Sequence, residues 1–358
     1  MKKETNIRAF FSLVRLGIGH QAGLLPDVFD WTSLETLAEQ QGLSAILVDG
    51  VDCIPENMRP PKVFLLQWIG ETLQGYEYRY ELYKRAIAEL AATYNHLGYK
   101  MMVLKGYGCG VNWPKPEHRP CGDIDIWLFG KQKEADAALT KETGIIIDSS
   151  HHHHTVFYWR NFLVENHFDI VNVYSHQSNQ NIEKVFKKLA MEQTNTVELY
   201  GETVYIPTPN FHALFLLKHA MGHFAAEGLT IRQILDWGFF VKNNSNSIDW
   251  GWLQGLLTSY GMKDLFDIFN AICVEDLGFN PSIFPHMQFK PVLKDRVLNE
   301  IISPEFPAQM PMHVFPRIIY KLRRWKGNTW KRKLCFRENM WVQFWTSVCG
   351  HILKPNSI

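Results

Sequence analysis

Residues 101–129 read MMVLKGYGCGVNWPKPEHRPCGDIDIWLF, and they decide the fold. An apolar strand runs into Lys105-Gly106, a segment broken by glycine and proline follows, and a second strand carries Asp123 and Asp125. Side chains alternate along a strand, so acids one residue apart share a face. Two like charges on an otherwise apolar strand repel each other. A shared divalent cation is the usual reason to keep them.

Working outward, the period of the apolar residues changes twice. Residues 1–98 read as a helical region. Trp31 to Gly42 has a cap in Thr32 or Ser33 and closes on Gly42. Leu73, Tyr76, Tyr80, Tyr83, Ile87, Leu90, Tyr94 and Leu97 form the core stripe of one long amphipathic helix. Residues 99–206 read as a small mixed-sheet α/β domain. Its expected strands are 100–104, 124–129, 144–148, 156–162 and 164–174, with a helix at 131–143 and a hairpin turning near Asn161 or Asn166. Residues 207–358 return to helices: 211–224, 229–243 capped by Thr230, 250–260 and 263–277, then a basic, Trp-rich tail. The fold class is α+β.

Composition restricts the function classes. Of 358 residues 46% are hydrophobic and 20% charged, which is a globular balance. With 37 basic and 36 acidic residues the global charge selects no polyanionic partner. Six cysteines without a CxxC pair predict free thiols in a reducing compartment, and no base stands beside Cys109 or Cys121 in sequence. The first residues lack the features of a secretory signal and no window suits a membrane span, so a cytoplasmic setting is expected.

The acid pair needs a third oxygen ligand if it holds cations for phosphoryl transfer, where two ions about 4 Å apart are usual. Glu165, His167 and Asp169 share one face of the strand at 164–174; Asp169 is preferred for its apolar neighbours, with Glu165 the second choice. Gly106 after a buried strand would let backbone amides approach a phosphate, and Lys105 would contact it. Arg119 either clamps a triphosphate or pairs with an acid to hold the loop. The run His151–His154 cannot direct four rings at one ion and reads as an exposed strand entry. His219 and His223, four apart on a helix, read as lining a cleft in preference to binding zinc. Arg232 and Asp236 are spaced for an intrahelical ion pair. Nine basic residues between Arg317 and Arg337 are interleaved with Tyr320, Trp325, Trp330 and Phe336, and Trp341, Phe344, Trp345, Val348 and Ile352 continue as an apolar stripe. Residues 317–353 suit a solvated basic face, a nucleic acid or an anionic membrane surface.

The apolar strand, glycine turn, DxD strand and later acid resemble the DNA polymerase beta nucleotidyltransferase superfamily. More narrowly, LKG followed by RPCGDIDI resembles the bacterial uncharacterised nucleotidyltransferase family, as do His219-Ala-Met-Gly-His223 and Arg232-Gln-Ile-Leu-Asp236. The resemblance spans roughly residues 5 to 330. It implies transfer of a nucleoside monophosphate from an NTP to an acceptor hydroxyl on a small molecule, a protein or RNA. Asp123, Asp125 and Asp169 would hold two Mg2+ or Mn2+ ions, with Lys105, Gly106, Tyr107, Arg119 and Gly122 around the nucleotide and His167, His219, His223 and Arg232 lining the cleft. Tyr107 stands where the superfamily has Gly or Ser and would crowd the phosphates, and the family more often has Glu than Asp as third acid. The alternatives are a nucleotide-binding module without turnover and an RNA-associated protein using the basic tail. The sequence names neither the acceptor nor the oligomeric state.

Overall fold

Helices dominate both ends of the chain in this computed structural model, which describes residues 2–336 except 152, 174–176, 193, 227 and 307–312, together with 339, 341, 342 and 345. In chain order come α1 (Lys2–Gly17), α2 (Trp31–Gln41), α3 (Ser44–Asp52) and α4 (Lys62–Glu71), then a π-helical stretch, Thr72–Tyr78, running into α5 (Arg79–His96). The middle holds β1 (Met102–Val103), the one-turn α6 (Tyr107–Gly110), β2 (Ile124–Trp127), α7 (Gln132–Thr143), β3 (His154–Trp159) and β4 (Phe162–His167). After α8 (Gln177–Glu192), β5 (Asn195–Leu199) and β6 (Glu202–Ile206) come α9 (Pro209–Ala226), α10 (Ile231–Asn244), α11 (Trp250–Ser259) and α12 (Lys263–Ala271). The last helices are α13 (Pro291–Ile302), α14 (Val314–Gly327) and α15 (Thr329–Cys335).

The chain divides into two units, one comprising Arg79–Val111 and Cys121–Leu214. Its six strands are ordered β3-β4-β2-β1-β6-β5. The pairs β2–β4 and β1–β6 are parallel, and β1–β2, β3–β4 and β5–β6 antiparallel, so the sheet is mixed. One sheet face is apolar: Val103, Ile124, Ile126, Val164 and Phe157 pack with Tyr83, Ile87, Leu90 and Tyr94 of α5 and Ala135 and Leu139 of α7. That packing accounts for the middle of the aromatic stripe. The stripe does not run as one face to its start, because the wider π turn over Thr72–Tyr78 shifts the helical phase, and Leu73 is exposed.

The other unit is helical: the chain up to Tyr78, Asn112–Pro120, and Phe215 through α15. In α10 a capping box joins Thr230 and Gln233, and the helix buries Ile231 and every residue from Ile234 to Val241. The Trp237 indole donates to Asn270 Oδ1 at 2.7 Å and packs edge-on against Trp250 and Phe266. Among the described residues no helix is long and apolar enough to cross a membrane.

Several local expectations are corrected. Asp30, rather than Thr32 or Ser33, caps α2, its carboxylate accepting from the Ser33 amide at 3.0 Å, while Gly42 closes the helix with φ 67°. Residues 144–148 form no strand beyond a bridge from Asp148 to Val156. The β3–β4 hairpin turns at Arg160-Asn161, with Arg160 at φ 54°, and Asn166 lies inside β4. The strand begun at 164 stops at His167 instead of continuing to 174. The hairpin β5–β6 and the helix α8 were not read from the sequence.

Candidate active site

The acids come together through strand register. β2 and β4 run parallel with Asp125 opposite Glu165 and Trp127 opposite His167. Asp123 and Asp125 alternate onto the sheet face away from Ile124 and Ile126, as do Glu165 and His167 relative to Val164. One ligand atom from each of Asp125, Glu165 and His167 lies within 4.8 Å of the others. Asp125 is 1% exposed, whereas the Asp123 side chain is 40% exposed.

Lys105 follows β1 and reaches both aspartates, its Nζ standing 3.0 Å from Asp125 Oδ1 and 3.7 Å from Asp123 Oδ2. Burial opposes its charge, but Asp125, Asp123 and Glu165 outweigh burial and raise its pKa. His167 donates from Nε2 to Asp125 Oδ1 at 3.2 Å and lies 3.7 Å from Glu165 Oε2. Burial works against the imidazolium, yet hydrogen bonds to Asp125 and Glu165 hold its pKa up at about 9. Burial likewise disfavours the Glu165 carboxylate, and His167 and Lys105 reverse that, bringing it down to about 2. Two cations thus face three carboxylates. Asp125 Oδ2 is nonetheless buried with no hydrogen-bond partner among the described residues.

Asp169 is not brought into this group. Beyond the end of β4 its carboxylate accepts from Lys187 Nζ at 2.7 Å, on α8. Gly106 adopts φ 65° and ψ −100°, and a Cβ there would fall 2.2 Å from the Tyr83 hydroxyl. That hydroxyl donates to the Asp123 carbonyl at 2.9 Å, so the glycine makes room for a tether on the acid strand. Tyr107 belongs to the apolar core with Tyr80 and Tyr83, and burial raises the pKa of its hydroxyl. Gly122 is exposed, with open space where a side chain would stand.

In the helical unit Arg119 takes the acid-pairing option. Its Nε and Nη2 donate to the two Asp236 oxygens at 2.7 and 2.9 Å, and the Trp113 indole adds a third bond at 2.8 Å. Asp236 is fully enclosed; burial alone would raise its pKa, but Arg119, then Arg232 one turn away, lower it. The Arg232 side chain also packs over Gly42. His219 and His223 meet each other, Nε2 to Nε2, at 3.1 Å, and among the described residues no third ligand completes a metal group with them.

Sequence reasoning missed His153 and His154. His154 pairs with His167 across β3–β4 and is 8% exposed, so it is no exposed strand entry. The fourfold histidine run was the available signal, and adjacency in sequence concealed that a strand begins at its last residue. It also missed a buried neighbour for Cys109, whose Sγ lies 3.8 Å from His212 Nε2. The basic tail is less free than it reads: Lys331 is 3% exposed and donates to Glu300 at 2.6 Å, and the Arg296 guanidinium lies 4.0 Å from the Trp330 ring centre. Of the tail features, Arg337, Phe344, Val348 and Ile352 lie outside the described residues.

A family model described as an uncharacterised nucleotidyltransferase matches residues 27–277. No curated protein matches the chain. Among solved structures the chain is similar to an antigenic nucleotidyltransferase-like protein from Paracoccidioides brasiliensis, at 17% identity over 44% of this chain and 75% of that one. The TM-score is 0.33, and so loose a likeness carries no argument.

Proposed function

Because the chain belongs to the uncharacterised nucleotidyltransferase family, we propose that its sheet unit transfers a nucleoside monophosphate from an NTP to an acceptor hydroxyl. One observation carries this reading. Asp125 is buried on an acidic sheet face with one oxygen held by Lys105 and His167 and the other without a partner among the described residues. A buried, half-satisfied carboxylate destabilises a fold unless a ligand completes it. The oxygen donors Asp123, Asp125 and Glu165 fit Mg2+ or Mn2+. When bound, such ions would activate the attacking hydroxyl and steady the leaving phosphate.

The remaining roles belong to the chain. Lys105 neutralises the acid pair in the absence of nucleotide, and phosphate oxygens would compete for its ammonium group. His167 orients Asp125 through Nε2, while Nδ1 points to the Asp169 carbonyl at 3.3 Å. The acceptor is a small molecule, a protein or an RNA.

Lys105 also favours a second reading. An ammonium within 3.0 Å of Asp125 and 3.7 Å of Asp123 can stand in for a cation, giving a module that binds nucleotide without turnover. One experiment separates the two. Purified protein is incubated with Mg2+, each α-labelled NTP and fractionated lysate, beside an Asp123→Asn/Asp125→Asn variant. Label moving to an acceptor only with wild type supports transfer; NTP binding by calorimetry without transfer supports the second reading. Equal labelling by both proteins overturns the transfer proposal.

A further inference from the structure

Beside the carboxylates the sheet gathers three imidazoles that the transfer reading does not use together. We propose that His153, His154 and His167 form a nitrogen-donor site for a transition-metal cation of the Zn2+ class, distinct from the oxygen site at Asp123 and Asp125. One ligand atom from each histidine lies within 4.8 Å of the other two. The site stands whether or not the protein transfers nucleotides.

The arrangement follows from the backbone. His154 and His167 are register partners on β3 and β4, where opposed side chains are about 5 Å apart at Cβ. His153 sits just before β3, and its carbonyl accepts from both the Phe168 and Asp169 amides, at 3.0 and 3.1 Å. These two hydrogen bonds tie His153 to the end of β4, where its ring meets that of the adjacent His154. Their rings pack edge-on with centres 4.4 Å apart, and each lies 5.3–5.4 Å from the His167 ring. His151 stacks on His154 with ring centres 4.8 Å apart.

The chemistry of the donors selects the ion. His153 Nε2 and His154 Nδ1 are 3.2 Å apart. Two nitrogens bound to one tetrahedral zinc at about 2.0–2.1 Å would be roughly 3.3 Å apart. A metal ion takes the neutral imidazole, so the proton that His167 holds against Asp125 and Glu165 leaves when the ion enters. Imidazole suits zinc and related metals, whereas Mg2+ prefers oxygen. Three histidines leave a fourth position for water or substrate.

The test uses the full chain after chelation. Bound Co2+ serves as a spectroscopic probe and Zn2+ affinity is measured by competition with a chromophoric chelator. One equivalent of Co2+ should give the intense visible absorption of a tetrahedral nitrogen site, and His153→Ala/His154→Ala should weaken Zn2+ binding at least about 100-fold. Asp123→Asn should leave Zn2+ affinity unchanged. Weak octahedral Co2+ absorption in the wild type, which needs no variant to fold, overturns the proposal. So does a Zn2+ affinity that falls with Asp123→Asn and not with the histidine variant, since the ion then belongs to the carboxylates.

Discussion

Asp125 and Glu165 are register partners across β2 and β4, whereas Asp169, four residues on, gives its carboxylate to Lys187. Under the proposed transfer reading, the third acid for cations at the aspartate pair is Glu165. Glu165→Gln is expected to lower label transfer from NTP by about 100-fold or more, the scale for losing a group that acts at the reacting centre. Asp169→Asn should stay near wild type. Initial rates at saturating metal decide between them, and the opposite ranking would return the role to Asp169.

The Arg119–Asp236 pair bears on the stability of the helical unit. It is bidentate, buried at both ends and reinforced by Trp113. Removing one partner leaves a buried charge, so Arg119→Ala or Asp236→Asn should cost about 3–5 kcal/mol in urea unfolding. Arg119→Lys should recover little of it, because an ammonium cannot reproduce the two parallel bonds. Replacing both by Met and Leu should come closer to wild type than either single change. If both single variants unfold with unchanged midpoint, the pair contributes nothing to stability.

How much of this was legible depended on whether the information was local. Asp123 and Asp125 were readable because strand alternation is a two-residue rule. Which later acid joins them depended on where β4 ends, and there the His153 carbonyl, just before β3, accepts from the Phe168 and Asp169 amides. The pairing of β1 with β6 puts Met102 beside Tyr205, a hundred residues away, and no local pattern announces it. Tyr107 read as an obstacle to phosphate because its position follows the turn; its burial with α5 could not be seen without the fold. Arg119 left two options open in sequence, and Asp236, on a distant helix, selects one. Lys331 looked unopposed for the same reason, since Glu300 is on another helix.

Gly106 offers a test of why a glycine stands at the turn. Its φ of 65° is unfavourable for other residues, and a Cβ would also collide with the Tyr83 hydroxyl at 2.2 Å. Gly106→Ala should destabilise the protein by about 1–3 kcal/mol from backbone strain alone, with the collision in addition. Tyr83→Phe removes the collision together with the bond to the Asp123 carbonyl, which is worth about 1 kcal/mol. The double variant should therefore be more stable than the sum of the single changes implies. Strict additivity in a double-mutant cycle by urea unfolding would show that the hydroxyl does not crowd this site.

His118 should make the stability of the helical unit depend on pH. Its Nδ1 meets Asp49 at 2.6 Å and its Nε2 meets Glu77 at 3.1 Å, with Lys115 also on Asp49. Burial pulls the imidazole pKa down and Lys115 adds to that, but the two carboxylates dominate and the net shift is upward from 6.5. A pKa raised on folding means that the native state binds the proton more tightly than the unfolded chain does. The stabilisation is then fully present below about pH 6.5, the unfolded value, and is lost as pH rises through the higher native value. His118→Gln keeps much of the side-chain volume and removes the charge. The difference in unfolding free energy between wild type and this variant should be largest at pH 5.5–6 and shrink steadily toward alkaline pH, on the scale set by the linkage relation. A difference that grew with pH would mean that His118 is neutral in the native state and that the two carboxylates do not hold its proton.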